Sequence, residues 1–121
     1  MYIQRYTITL TTDADGDAVS YSPVVSGLIS QIRYVKTDFA DGVDFTVTLE
    51  STGESVWAES NVNASATRAP RQSTHTQVGV VINYAATFPV YEKIAVSQDR
   101  IKVVIAQGGN VTTGTLIVVM E

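Results

Sequence analysis

The sharpest chemical pattern in this sequence is Asp13-x-Asp15-Gly16-Asp17. Alternating carboxylates around a glycine can wrap a calcium ion in hard oxygen ligands. The EF-hand loop, however, places its glycine sixth and a bidentate glutamate twelfth. Here glycine is fourth, and the twelfth position counted from Asp13 is Val24. Short polar side chains beside a glycine make a solvated turn the better reading. His75 is the only histidine and there is no cysteine, so neither a His-rich nor a thiolate metal site is available. A Ser-His-Asp triad needs its histidine held by a carboxylate, and the residues around His75 include no acid. Gln107-Gly-Gly-Asn-Val-Thr-Thr-Gly114 lacks the lysine and hydroxyl residue of a phosphate loop, and no helical pattern follows it. It reads as a hairpin turn. Asp38, Asp41 and Asp44 are close in sequence, yet only Asp44 falls on a strand face. A glycosidase pair would need two carboxylates fixed across a cleft, so these read as solvated loop acids. No catalytic, cofactor-binding or metal-binding residue is assigned, and the chain is expected not to be an enzyme.

Arg68 and Arg71 flank Ala69-Pro70 inside a long stretch, residues 60–77, that is small, polar and acid-free, with no apolar periodicity. Loops of such length are usually functional or disordered. The proline stiffens the segment in an extended form. An extended arm carrying guanidinium forks suits docking against carboxylates of another protein. Residues 60–77 are therefore expected to be a contact arm, mobile alone and ordered in an assembly, with Arg68, Pro70, Arg71 and His75 as contact residues.

The elements on either side are strands. Residues 2–11 place Tyr6, Ile8 and Leu10 on one face, and residues 18–22 return after the Asp-rich turn as the second arm of a hairpin. Residues 27–36 follow. Residues 43–50 alternate most cleanly, with Val43, Phe45, Val47 and Leu49 against Asp44, Thr46, Thr48 and Glu50, as in a half-buried antiparallel strand. Residues 55–59 pair back after Ser51-Thr-Gly-Glu54. There Val56 and Ala58 share a face, so Trp57 is expected on the surface or in an interface. Residues 78–83 read as a short apolar strand and 84–91 as an irregular aromatic link. Residues 93–97 and 100–106 read as another hairpin. The last strand, 115–120, is apolar on both faces, and its second cover is expected to be a neighbouring subunit, with Leu116 and Val118 in the contact. About eight or nine strands and no helix predict one all-β domain over residues 1–121, an antiparallel β-sandwich or jelly roll.

Composition narrows the partners. At 121 residues the chain is long enough for one real core. Only 17% of residues are charged and the net charge is -4, which argues against nucleic acid, since phosphate contacts need clustered Lys and Arg. No apolar run approaches the length of a membrane span. The first ten residues alternate instead of forming the apolar core of a secretory leader. A protein made and kept in a cytoplasm, or assembled there into something larger, fits these features.

Three further segments carry a resemblance. They are Gln31-Ile-Arg-Tyr-Val-Lys-Thr-Asp-Phe-Ala-Asp-Gly-Val-Asp-Phe-Thr-Val-Thr, Glu59-Ser-Asn-Val-Asn-Ala-Ser-Ala-Thr-Arg-Ala-Pro-Arg-Gln, and Asp99-Arg-Ile-Lys-Val-Val-Ile-Ala-Gln-Gly-Gly with Gly114-Thr-Leu. Together they resemble a group of small structural proteins of tailed bacteriophages, encoded among head-assembly genes. The likeness spans most of the chain and is one of sequence texture, with no catalytic signature. It implies a virion component, a capsid cement or decoration protein, β-rich and commonly trimeric. The major capsid protein and other virion proteins would be its partners. No functional residue is carried over. Two rival readings are a neck, tail or head-fibre component of the same particle, and a carbohydrate-binding β-sandwich. The latter would need an exposed aromatic platform from Trp57, Tyr84, Phe88 and Tyr91.

Overall fold

The computed structural model describes residues 2–121, which form strands and turns with no helix. In chain order the strands are β1 (Gln4–Thr11), β2 (Ala18–Tyr21), β3 (Val25–Lys36), β4 (Val43–Leu49), β5 (Ser55–Val62), β6 (Ala66–Arg68), β7 (Gln72–Ser73), β8 (Asn83–Ala85), β9 (Phe88–Pro89), β10 (Tyr91–Glu92), β11 (Ile94–Asp99), β12 (Ile101–Ala106) and β13 (Thr113–Met120). The all-β expectation holds. The strand count exceeds the expected eight or nine because residues 63–92, read as an arm, one short strand and a link, contain the five short strands β6 to β10.

Two antiparallel sheets form the body. In the first, β13 lies between β1 and β3, and the far edge of β3 is shared. β11 pairs with its first half (Ile94↔Ile29) and β6 with its second (Tyr34↔Ala66). The second sheet runs β2-β12-β4-β5. Period-two alternation turns one face of each sheet inward. Ile8, Leu10, Ile29, Ile32, Leu116, Val118 and Met120 from the first sheet meet Val43, Phe45, Val47, Ile101, Val103 and Ile105 from the second in one core. Aromatic rings bridge the layers: Tyr34 on β3 and Phe45 on β4 have centroids 4.7 Å apart. Gly114 on β13 lets Phe39 close over that cluster, since a Cβ there would lie 2.6 Å from Phe39 Cδ2.

The strands at 2–11 and 18–22 do not pair as a hairpin. β1 pairs with β13 and β2 with β12, in different sheets. The Asp-rich turn is a corner between layers, anchored where Thr12 N–H donates to Thr112 O at 2.9 Å. β11 and β12 are separated in the same way, β11 beside β3 and β12 beside β4. The glycine-rich turn at 107–112 is likewise a corner, joining β12 to β13 across the sheets. The physical reason is burial. β12 and β13 alternate strongly apolar residues, and a central position with a neighbour on both sides covers them best. The β4–β5 hairpin forms as expected.

Two further expectations are corrected. Trp57 is only 9% exposed and stacks on Phe45, centroids 4.9 Å apart. The β4–β5 register shifts between Val47↔Trp57 and Thr48↔Ser55; such a bulge sets two residues against one and breaks strict alternation. Val56 and Trp57 are therefore both buried. The last strand also does not offer Leu116 and Val118 to a neighbouring subunit. Leu116 and Val118 are fully buried in the chain's own core. On the outer face Ile117 and Val119 are half-buried, seated between the β1 residues Arg5 and Thr7 and the β3 residues Gln31 and Arg33.

Candidate interaction surface

The segment expected to be a free arm divides into two parts. Its first part is bound to the body. Asn61 N–H donates to Asp44 Oδ1 (2.9 Å), Gly42 N–H to Asn63 Oδ1 (2.7 Å) and Lys36 N–H to Ser65 Oγ (2.9 Å). Arg68 grips Glu59 with both ends of its fork, Nε to Oε1 at 2.7 Å and Nη2 to Oε2 at 2.9 Å. Trp57 Nε1–H also donates to Glu59 Oε1, at 3.2 Å. The Arg68 hydrogen bonds hold the Glu59 carboxyl below its ordinary range, and Glu59 in turn raises Arg68. Pro70 is buried. Arg71 Nη1 donates to Ser30 O at 3.1 Å and to Pro70 O at 2.8 Å. Arg68 and Arg71 thus find acceptors within their own chain, because β6 adds to the edge of β3 and lays the segment along the body.

The second part begins at β7 and continues through β10 as a small lobe. β7 and β10 form its base, Ser73 opposite Tyr91 and Gln72 opposite Glu92. Above the base the backbone branches. Thr74 N–H donates to Val90 O (2.8 Å), Ile82 N–H to Thr74 O (2.9 Å) and Val90 N–H to Ile82 O (2.9 Å). This ring of three bonds joins the base to two short hairpins. One turns at residues 76–80, with Gly79 at φ +85° and Thr76 N–H bonded to Val80 O at 2.8 Å. The other is β8–β9, turning through Ala86 and Thr87.

Register gives the lobe two unlike faces. Strand alternation puts Val80, Ile82 and Tyr84 on one side. Asn83 pairs with Pro89, so Val90 lies opposite Ile82 on that same side, and a bulge near Tyr84 lets it stack on Phe88 at 6.0 Å. The other side carries His75, bridged to Val81, with Asn83, Pro89 and Tyr91. Residues 72–91 contain no Asp, Glu, Lys or Arg. Val78 is 78% exposed, Tyr84 72%, Tyr91 60% and Phe88 58%. Val80, Ile82, Tyr84, Phe88 and Val90 share one side, and an exposed apolar patch of this kind marks an interaction surface.

Of the residues singled out in the sequence, His75 is in the lobe and exposed, and Arg71 is exposed where the segment leaves the body. Arg68 is half-buried in its ion pair, Pro70 and Trp57 are buried, and Leu116 and Val118 belong to the core. Residues 78–83, read as a short apolar strand, are exposed, and only Asn83 falls within a strand, β8. The Asp13 carboxylate caps its own turn, with Oδ1 accepting from Asp15 N–H (2.9 Å) and Asp17 N–H (3.0 Å). Among the described residues no group of three His, Asp or Glu side chains is placed to hold a metal ion. The titratable groups shifted from their ordinary values sit in ion pairs, turns or the core. Glu50 and Arg100 pair beside the Tyr21 ring, Asp99 caps Ser51, and burial pushes the Tyr34 hydroxyl up to about 12. Comparison with protein-family models, curated proteins and solved structures finds no match to the chain.

The lobe was missed because Val-Val-Ile in residues 80–82 has the texture of a core strand. The signal that coincides with it is the longest charge-free run of the chain, residues 72–91, although residues 103–120, which form body strands, are charge-free as well.

Proposed function

We propose that this chain is a structural protein of a tailed-bacteriophage particle, a capsid cement or minor head protein that works by contact and not by catalysis. The observation that carries this reading is the lobe of residues 72–92, an apolar element without charge from residue 72 to 91, set on a complete two-layer body. The body already has its own core, so apolar groups outside it serve association. The resemblance of the 31–48, 59–72 and 99–109 segments to phage head proteins supplies the kind of assembly. The contact element in this reading is the lobe, with His75 as its one member from the expected contact residues and Tyr84, Phe88 and Tyr91 from the expected aromatic platform, and the arginines steady its base.

The test is mass spectrometry and immuno-electron microscopy of purified particles from the phage or prophage that encodes the chain. The chain should be present, and purified protein should bind expanded heads. Many copies spread over the shell would mark a cement protein, whereas a single ring at one vertex would mark a neck component. Absence from particles would refute the reading.

A further inference from the structure

We propose that the apolar face of the lobe docks against the same face of a second copy of this chain. The inference rests on the reading of the lobe as the contact element, but not on the particle it belongs to. Charge is the first argument. Each copy carries a net charge of -4. Asp13, Asp15, Asp17 and Asp38 gather at one end of the body, where the turns at 12–17, 37–42 and 107–112 touch through Gly108 N–H to Gly16 O and Ala40 N–H to Gly108 O, both 2.9 Å. Two such bodies repel. The lobe face, Val80, Ile82, Tyr84, Phe88 and Val90, carries no charge, and its neighbours Thr74 and Thr76 carry none either. It is a surface on which two copies can meet without burying an unpaired charge.

Area is the second argument. These five residues remain 59%, 39%, 72%, 58% and 37% exposed. Together they offer on the order of 500 Å² per copy, so two faces that cover each other fully bury up to about 1,000 Å², the threshold of a specific interface. Shape is the third. Ile82 and Val90 sit at the branch point, between Val80 on one hairpin and the stacked Tyr84–Phe88 pair on the other. A two-fold axis through the branch point lays the aromatic pair of each copy over the aliphatic hairpin of its partner, which is the self-complementarity an isologous contact requires.

Sedimentation velocity decides the matter, with the full chain followed up to the ~100 μM range. Wild type should dimerise reversibly. Tyr84→Asp with Phe88→Asp should weaken the dimer by about 100-fold or more, since it places charges in the contact. Both positions are exposed, so the melting curve should not move when it is taken at a dilution where wild type is monomeric. In a second variant Asn-Gly replaces residues 75–89 and closes the chain between Thr74 and Val90, which are already hydrogen-bonded; it should be monomeric, and it decides the question if the double variant does not fold. Raising NaCl from ~0.05 to ~0.5 M should leave the wild-type dimer unchanged or tighter, because only repulsion is screened. A wild-type monomer at every concentration overturns the proposal. So does a double variant that dimerises as wild type does, or a dimer that salt dissolves, which would assign the contact to opposite charges. A dimer whose chain is absent from particles refutes the virion reading alone. A monomer found in particles refutes only this one.

Discussion

Arg68→Ala removes the fork that ties the start of the lobe segment to the body. Its worth follows from the geometry. Two nearly parallel bonds, 2.7 and 2.9 Å long, join it to Glu59, the stronger, bidentate kind of pair. The side chains remain 40% and 35% exposed, so water screens the pair and its value is that of a good surface ion pair, not a buried one. Exposed pairs contribute about 0.2–1 kcal/mol, and bidentate geometry places this one at the upper end, about 1 kcal/mol. With an m-value of about 2 kcal/mol per molar urea, the unfolding midpoint should fall by roughly 0.5 M. The effect has a pH signature. Because Arg68 depresses the Glu59 pKa in the folded chain, the stabilisation is present above the unfolded carboxylate pKa of about 4.3 and is lost as pH falls through the folded value. Wild-type and variant midpoints should therefore converge in acid and in ~1 M salt. Urea titrations of Arg68→Ala, Glu59→Gln and the double variant measure the coupling directly. No midpoint shift and no coupling at neutral pH and low salt would refute the tether and restore residues 60–71 as a free arm. A cost beyond about 3 kcal/mol would mean a fully desolvated pair, contradicting the exposure on which the estimate rests.

Tyr34→Phe should be neutral or stabilising by up to about 1 kcal/mol in the same titration, because the Tyr34 hydroxyl is buried without a hydrogen-bond partner. Burial raises its pKa to about 12, so the folded chain resists its ionisation. Wild-type stability should therefore fall as pH rises above the unfolded tyrosine value of about 10, and the phenylalanine variant should lose part of that fall. Gly114→Ala forces a methyl group into the Phe39 ring and should cost about 2 kcal/mol by overpacking, read as a lower melting temperature. Asp99 accepts from Ser51 Oγ at 2.7 Å and from Arg100 N–H at 2.8 Å, and these bonds lower its pKa, Ser51 first. Its contribution is present above the unfolded aspartate pKa and lost as pH falls through the folded value, so Asp99→Asn should flatten the acid limb of the stability–pH curve.

Local pattern determined the parts of this protein that depend on neighbours in sequence. Alternation in residues 43–50 and 100–106 made them one-sided strands, the Ser51–Glu54 turn made the β4–β5 hairpin, and the absence of any helical period made the chain all-β. Tertiary structure decided what depends on competition between distant partners. Segments adjacent in sequence went to opposite sheets because the two most apolar strands, β12 and β13, gain more by taking central positions than by pairing with their sequence neighbours. A bulge turned Trp57 inward, against the parity of its strand. Arg68 found Glu59, nine residues earlier, only because β5 and β6 come together at the edge of the body. The lobe shows the limit most clearly. Val80, Val81 and Ile82 have the composition of a core strand, and composition is blind to whether a second layer stands over them. Backbone branching at Thr74, Ile82 and Val90 carries them out of the body, because the inner faces of both sheets are already filled.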